Sequence, residues 1–228
     1  MAGFFKNRAR KKLLEQVWKD RRREDGQQCG PVFPDVKGSM CVGILFSAGT
    51  EEDLRRLEEL AGWAAVKAGG IKEAGDKDAA GEAAHGSGCA EELQQIKFSI
   101  LAVETARCFK NDRLRESFVE RLRGGSGGTD IIFVGKEDIS AVGVPRKGES
   151  GDFLSRNFDM LVVIGGNGGD FTLEYLAGKA SAAFVVGIEP REAGYYDMVL
   201  APAGRIASPV EYLQQLFAYL ANMSLKQE

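Results

Sequence analysis

The chain has 228 residues, 44% of them hydrophobic, enough for one sizeable buried core. Lys and Arg total 30 against 33 Asp and Glu, a net charge of −3, so the average surface is not that of a nucleic-acid-binding protein. One histidine, His85, excludes a zinc centre of two or more histidines, four cysteines without a Cys-x-x-Cys pair exclude a metal knuckle, and no apolar run approaches the roughly 20 residues that span a bilayer.

The first predicted element is a helix over residues 4–24, where Leu13, Leu14, Val17 and Trp18 recur at helical spacing and basic side chains fill the rest of the circumference. Lys6, Arg8, Arg10, Lys11, Lys12, Lys19, Arg21, Arg22 and Arg23 face only Glu15, Asp20, Glu24 and Asp25, so residues 1–25 are net +5 and the other 203 net −8. The apolar stretch of a secretory signal does not follow this basic start. The chain is therefore expected to begin at Met1 and stay in the cytoplasm, with its cysteines Cys29, Cys41, Cys89 and Cys108 as reduced thiols.

Residues 26–38, punctuated by Gly26, Gly30, Pro31, Pro34 and Gly38, read as a linker. An α/β domain over 39–228 follows. The continuous apolar run 40–46 predicts a strand covered on both faces, and Thr50 with Asp53 predicts a capping box opening a helix to about residue 67. Leu54, Leu57, Leu60, Ala61 and Ala64 form its buried stripe. Residues 69–90 offer Ile71 as their single large aliphatic side chain and read as a flexible insertion, His85 within it. A strand over 96–103, a helix over 111–123, a glycine turn over 124–128, a strand over 131–134 and a short helix ending over 152–156 come next. Then follow a strand over 158–164, a helix over 171–179, strands over 182–187 and 196–200, and a closing helix over 209–221. Strands alternating with helices predict a mainly parallel sheet with helices on both faces.

The most conspicuous motif is Gly165, Gly166, Asn167, Gly168 and Gly169 between a buried strand and a helix, where backbone N–H groups and a positive helix end can meet phosphate. It meets the dinucleotide fingerprint at Gly166 and Gly168 but has Phe171 at the third glycine position. It also resembles the GGDGT loop of the NAD kinase and diacylglycerol kinase superfamily, with Asn167 in place of the acid and Gly169 in place of the threonine. Only 59 residues follow Gly169, too few for the substrate-closing domain of those kinases. Glycines serving a tight strand-to-helix turn are the competing explanation. Ser126, within Gly124 to Gly128, satisfies a nucleophile-elbow spacing but follows a helix and precedes a strand, so a turn is expected. Asp159 and Asp197, each at a strand start, are expected to make structural hydrogen bonds to neighbouring loops.

The runs 158–164, 173–177, 183–187, 196–199 and 213–220, together with 133–139, Gly143-Val144-Pro145, 42–46, 50–53 and a basic, phenylalanine-containing start, resemble an uncharacterised family of small α/β proteins from Bacteroidota, a domain of unknown function. The resemblance covers most of the chain apart from 69–88. It implies a single three-layer Rossmann-like or flavodoxin-like domain behind a basic N-terminal helix, with no established activity. Val163, Ala201 and Ser47 stand where that family carries acids, so a carboxylate-based catalytic site is not expected.

Two functions follow. In the first, a non-catalytic cytoplasmic protein docks through Lys6, Arg8, Arg10, Lys11, Lys12, Lys19, Arg21, Arg22 and Arg23 on an anionic partner. That partner is a membrane surface, with the protein peripheral to the inner membrane and Phe4, Phe5, Leu13, Val17 and Trp18 inserted, or it is ribosomal RNA. A helix that simply packs on its own domain is the bland alternative. In the second, Ser47, Thr50, Gly165, Gly166, Asn167, Gly168, Gly169 and Thr172 bind a small phosphate or nucleotide at the C-terminal edge of the sheet. Neither function calls for a cofactor or a metal.

Overall fold

A computed structural model describes residues 2–24, 34, 39–68, 96–146, 148–165, 170–188, 195–200 and 208–224. The linker (bar Pro34), the insertion with His85, Cys29 and Cys89, and Gly166 to Gly169 lie outside the described residues. Six strands, β1 (Met40–Ala48), β2 (Ile96–Glu104), β3 (Asp130–Val134), β4 (Asn157–Ile164), β5 (Ser181–Gly187) and β6 (Met198–Val199), form one sheet in the order β3-β2-β1-β4-β5-β6. All five pairings are parallel. β2 and β3 lie to one side of β1 before the order reverses between β1 and β4, the doubly wound order 3-2-1-4-5-6 as opposed to the flavodoxin order 2-1-3-4-5.

The helices are α1 (Ala2–Glu24), α2 (Glu51–Ala68), α3 (Asp112–Gly125), α4 (Glu149–Leu154), α5 (Phe171–Lys179) and α6 (Pro209–Ser224). Strands of a parallel sheet are buried on both faces, so their alternate side chains enter two cores. Val42, Ile44 and Phe46 of β1 point into one, shared with Leu57 and Leu60 of α2, Phe118 of α3, and Tyr212 and Leu216 of α6. Leu45 enters the other, with Phe153 of α4, Leu173 and Leu176 of α5, and Leu14 and Trp18 of α1. The N-terminal helix is thus part of the hydrophobic core.

Candidate functional site

Doubly wound sheets bind ligands beyond the C-terminal strand ends, where the strand order reverses. Here that crevice lies between β1 and β4. Ser47, next to last in β1, is buried; its hydroxyl donates to the Asp170 carboxylate at 3.2 Å and lies 3.3 Å from the Thr105 hydroxyl. Asp170 is the N-cap of α5, and its other oxygen accepts the Thr172 N–H at 2.9 Å. The buried Thr172 hydroxyl donates to the Gly143 carbonyl at 2.8 Å and so ties α5 to the segment between β3 and α4. Thr50 forms the expected capping box: its Oγ1 accepts the Asp53 N–H at 3.1 Å, and the Asp53 carboxylate accepts the N–H groups of Gly49 and Thr50 at 3.0 and 2.9 Å.

The structure therefore brings Ser47, Asp170 and Thr172 together and places Thr50 at the head of α2. Both helix N-termini at this edge, which would attract an anion if open, hold a carboxylate of the chain itself. Glu51 and Glu52 add charge to the first turn of α2. At the end of β2 Glu104 is 2% exposed, and its carboxylate accepts the N–H groups of Cys108 and Lys136 at 2.7 and 3.1 Å. Burial, and then Glu104, Asp53 and Glu51, push the Cys108 thiol above its ordinary value, so it stays protonated and unreactive at neutral pH. Sequence reading passed over Asp170 and Glu104. A carboxylate directly before a predicted helix was the available signal for the first; the second closes an apolar strand without a pattern that marks it.

α1 has two chemically distinct sides. Leu14, Val17 and Trp18 are buried against α5 and its surroundings. The Trp18 ring stacks on Tyr195, centroids 5.1 Å apart and 4° from coplanar, and meets Tyr196 edge-on. Gly178 of α5 lets the helices approach: a Cβ there would come within 2.6 Å of Val17 Cγ1. Two of the nine cations also serve the inner side. Arg21 donates to the carbonyls of Ala180, the C-cap of α5, at 2.8 Å, and of Ala182 in β5. Arg10 donates from Nε to the Val142 carbonyl at 2.6 Å, its guanidinium 5.0 Å from the centre of the Phe171 ring.

Lys6, Arg8, Lys11, Lys12, Lys19 and Arg22 are exposed. At 3.6 residues per turn, Arg8, Lys11, Lys12, Lys19 and Arg22 fall within about a third of the circumference, nearly opposite Val17, in a row about 20 Å long. Glu15 is exposed among them. The side chains of Arg23, Phe4 and Phe5 lie outside the described residues.

Other candidates take structural roles. Ser126 caps the C-terminus of α3, its hydroxyl donating to the Arg123 carbonyl at 2.8 Å, and Gly127 and Gly128 make the turn at φ of 51° and 102°. The Asp159 carboxylate accepts the Cys41 N–H and that of Asp197 the Val185 N–H, both at 2.7 Å, so their partners are neighbouring strands and not loops. A cavity of about 400 Å³ beside β3 includes Arg115 and Arg123 in its lining, the first paired with Glu137 and the second donating to the Ile131 carbonyl. Among the described residues no group of three or more His, Cys, Asp or Glu is placed to hold a metal ion.

Residues 120–223 match DUF6913, a family of unknown function. The matched segment begins inside α3, ends inside α6 and contains β3 to β6, so the likeness to DUF6913 concerns this part of the body and not α1. Neither a curated protein nor a solved structure matches the chain.

Proposed function

We propose that this protein is a non-catalytic docking protein whose α1 binds the phosphate groups of an anionic partner while the α/β body holds that helix rigidly. The observation that carries this reading is the division of α1: the apolar side and two arginines are used internally, and six cations are exposed, five of them in one row turned away from Val17, on an element fixed to a core. Each Lys or Arg near an anionic surface contributes about 1 kcal/mol, so six cations correspond to affinities on the order of 10–100 µM, strongly weakened by salt. A phosphate or nucleotide at the sheet edge is the weaker reading, because such a ligand would have to displace Asp53 and Asp170 from the helix ends they cap.

Retention on phosphocellulose tests the docking surface. The intact protein should bind at low ionic strength and elute with salt, despite its net charge of −3. A variant carrying Lys11→Gln, Lys12→Gln, Lys19→Gln and Arg22→Gln should flow through with unchanged thermal stability. Equal retention of the two proteins would refute the assignment.

A further inference from the structure

We propose that the open edge of β3 binds a short extended segment of a protein partner, with a basic side chain of that segment turned towards α3. The proposal stands apart from the basic row on α1. β3 ends the sheet and pairs with β2 along one of its two edges. Backbone direction alternates along a strand, so every second residue turns its N–H and C=O away from the neighbouring strand. Ile131 is such a residue, because its carbonyl accepts from Arg123 Nε of α3 at 3.1 Å. Phe133, two residues on, turns the same way, and with Val134 it lines the cavity of about 400 Å³ beside β3.

α3 packs on one face of the sheet through Phe118 and Leu122, and α4 on the other through Phe153. Both helices line the cavity, Val119 from α3 and Ser150 from α4, so it is a groove along the sheet edge walled by both layers. The groove is short. Arg123 covers the carbonyl at Ile131, and the Arg115–Glu137 ion pair stands against Gly135, directly after the strand, where a Cβ would come within 2.3 Å of Glu137 Oε1. Strands about 4.8 Å apart, layers about 10 Å thick and a rise of about 3.3 Å give roughly 160 Å³ for each residue of an added strand, so the groove holds two or three residues. Strand addition supplies main-chain hydrogen bonds, and the side chains on either face select the segment. A second copy fits less well, since it would bring its own covered β3 and both flanking helices to the same place.

The charges select the side chain. Glu116 and Glu120, one turn apart on α3, line the groove without a partner among the described residues, whereas Arg115 and Arg123 beside them are engaged. Towards α4 the side chains of Asp138 and Arg146, likewise without a partner among the described residues, offset each other. The α3 wall is thus acidic and the α4 wall neutral. Side chains of an added strand alternate between the two walls, so the residue facing α3 is Lys or Arg and its neighbours in the segment are uncharged.

The test titrates the isotope-labelled full chain with two blocked five-residue peptides of threonine and valine, one with arginine and one with glutamate at its centre, and reads the backbone amide signals. The arginine peptide should shift the signals of Glu120, Phe133 and Val134 and slow hydrogen exchange at the Phe133 amide, and the glutamate peptide should do neither. Glu116→Gln with Glu120→Gln should weaken the arginine peptide by about threefold to tenfold at an unchanged urea midpoint. The fourfold glutamine variant of α1 should bind it as the unaltered chain does, so failure here leaves the basic row on α1 untouched. Equal shifts from both peptides, shifts confined to other surfaces, or no shift at millimolar peptide would overturn the proposal. Free arginine acting as well as the peptide would make the groove a small-molecule site, and broadening of these signals with protein concentration alone would give the edge to a second copy; either result would overturn it too.

Discussion

At the scale of single residues, the attachment of α1 turns on Gly178. Alanine is ordinarily better than glycine inside a helix by about 1 kcal/mol. At this position its Cβ would approach Val17 Cγ1 to 2.6 Å and the Trp18 ring to 3.1 Å. Gly178→Ala should therefore reverse the usual sign and destabilise the fold by about 1–2 kcal/mol in urea unfolding, and become neutral or stabilising once Val17→Ala has made room. A second residue-scale effect concerns Tyr212, whose hydroxyl donates to the Gly187 carbonyl in a buried site. Burial, reinforced by Tyr196, raises its pKa well above the ordinary 10.0. The folded chain thus holds this proton where the unfolded chain would release it. The stabilisation is complete below about pH 10 and is lost as pH rises toward the folded value. Tyr212→Phe should flatten this alkaline decline in the urea midpoint; a decline of unchanged slope would mean that other groups cause it. Such distinctions were not legible in the sequence. Arg21 and Arg22 are adjacent and identical in type, yet one satisfies carbonyls beyond α5 and the other is exposed, because one residue turns the helix by about 100°.

At the scale of elements, α1 belongs to the body. Fully burying side chains like Leu14, Val17 and Trp18 contributes about 1.5–3 kcal/mol each, together some 5–8 kcal/mol, of the same order as the docking energy of all six exposed cations. Peeling the helix from the body to bind a partner would cancel most of the gain, so the proposed docking uses the helix in place. Deleting residues 1–25 should accordingly lower the melting temperature by many degrees and raise the binding of a hydrophobic dye. A truncated protein that melts like the intact one would show α1 to be an appendage. The elements themselves were largely legible. Continuous apolar runs marked β1, β2 and β4, since strands covered on both faces lack alternation, and the Thr50–Asp53 capping box sits where its spacing placed it. Shorter elements were read less well. β6 shrinks to Met198–Val199 from the expected 196–200, with the Asp197 carboxylate engaged by the Val185 N–H, and α4 ends at Leu154, two residues before the expected end. Side-chain bonds to the backbone decide such ends, and apolar periodicity does not report them.

At the scale of the whole molecule, a net charge of −3 conceals a basic helix of +5 on a body of −8. The fold gives the division its meaning: three helices, α2, α3 and α6, close one face of the sheet, and α4 and α5 close the other with α1 packed on α5. The crevice at the strand-order reversal, the usual ligand site of this architecture, is lined by carboxylates already engaged with the chain's own backbone. Sequence pattern located that crevice through Ser47, Thr50 and Thr172, but the caps that fill it depend on side-chain directions that pattern does not carry. The proposed function therefore rests on the basic row of α1 and not on this crevice. Its most direct measurement is the affinity for a short RNA duplex between about 50 and 200 mM salt, read as the slope of log K against log salt. With about −0.9 for each phosphate contacted, the row of cations on α1 predicts a slope of about −3 to −5 for the intact chain and about −1, from the remaining Arg8, for the fourfold glutamine variant. Slopes that coincide for the two proteins would contradict it.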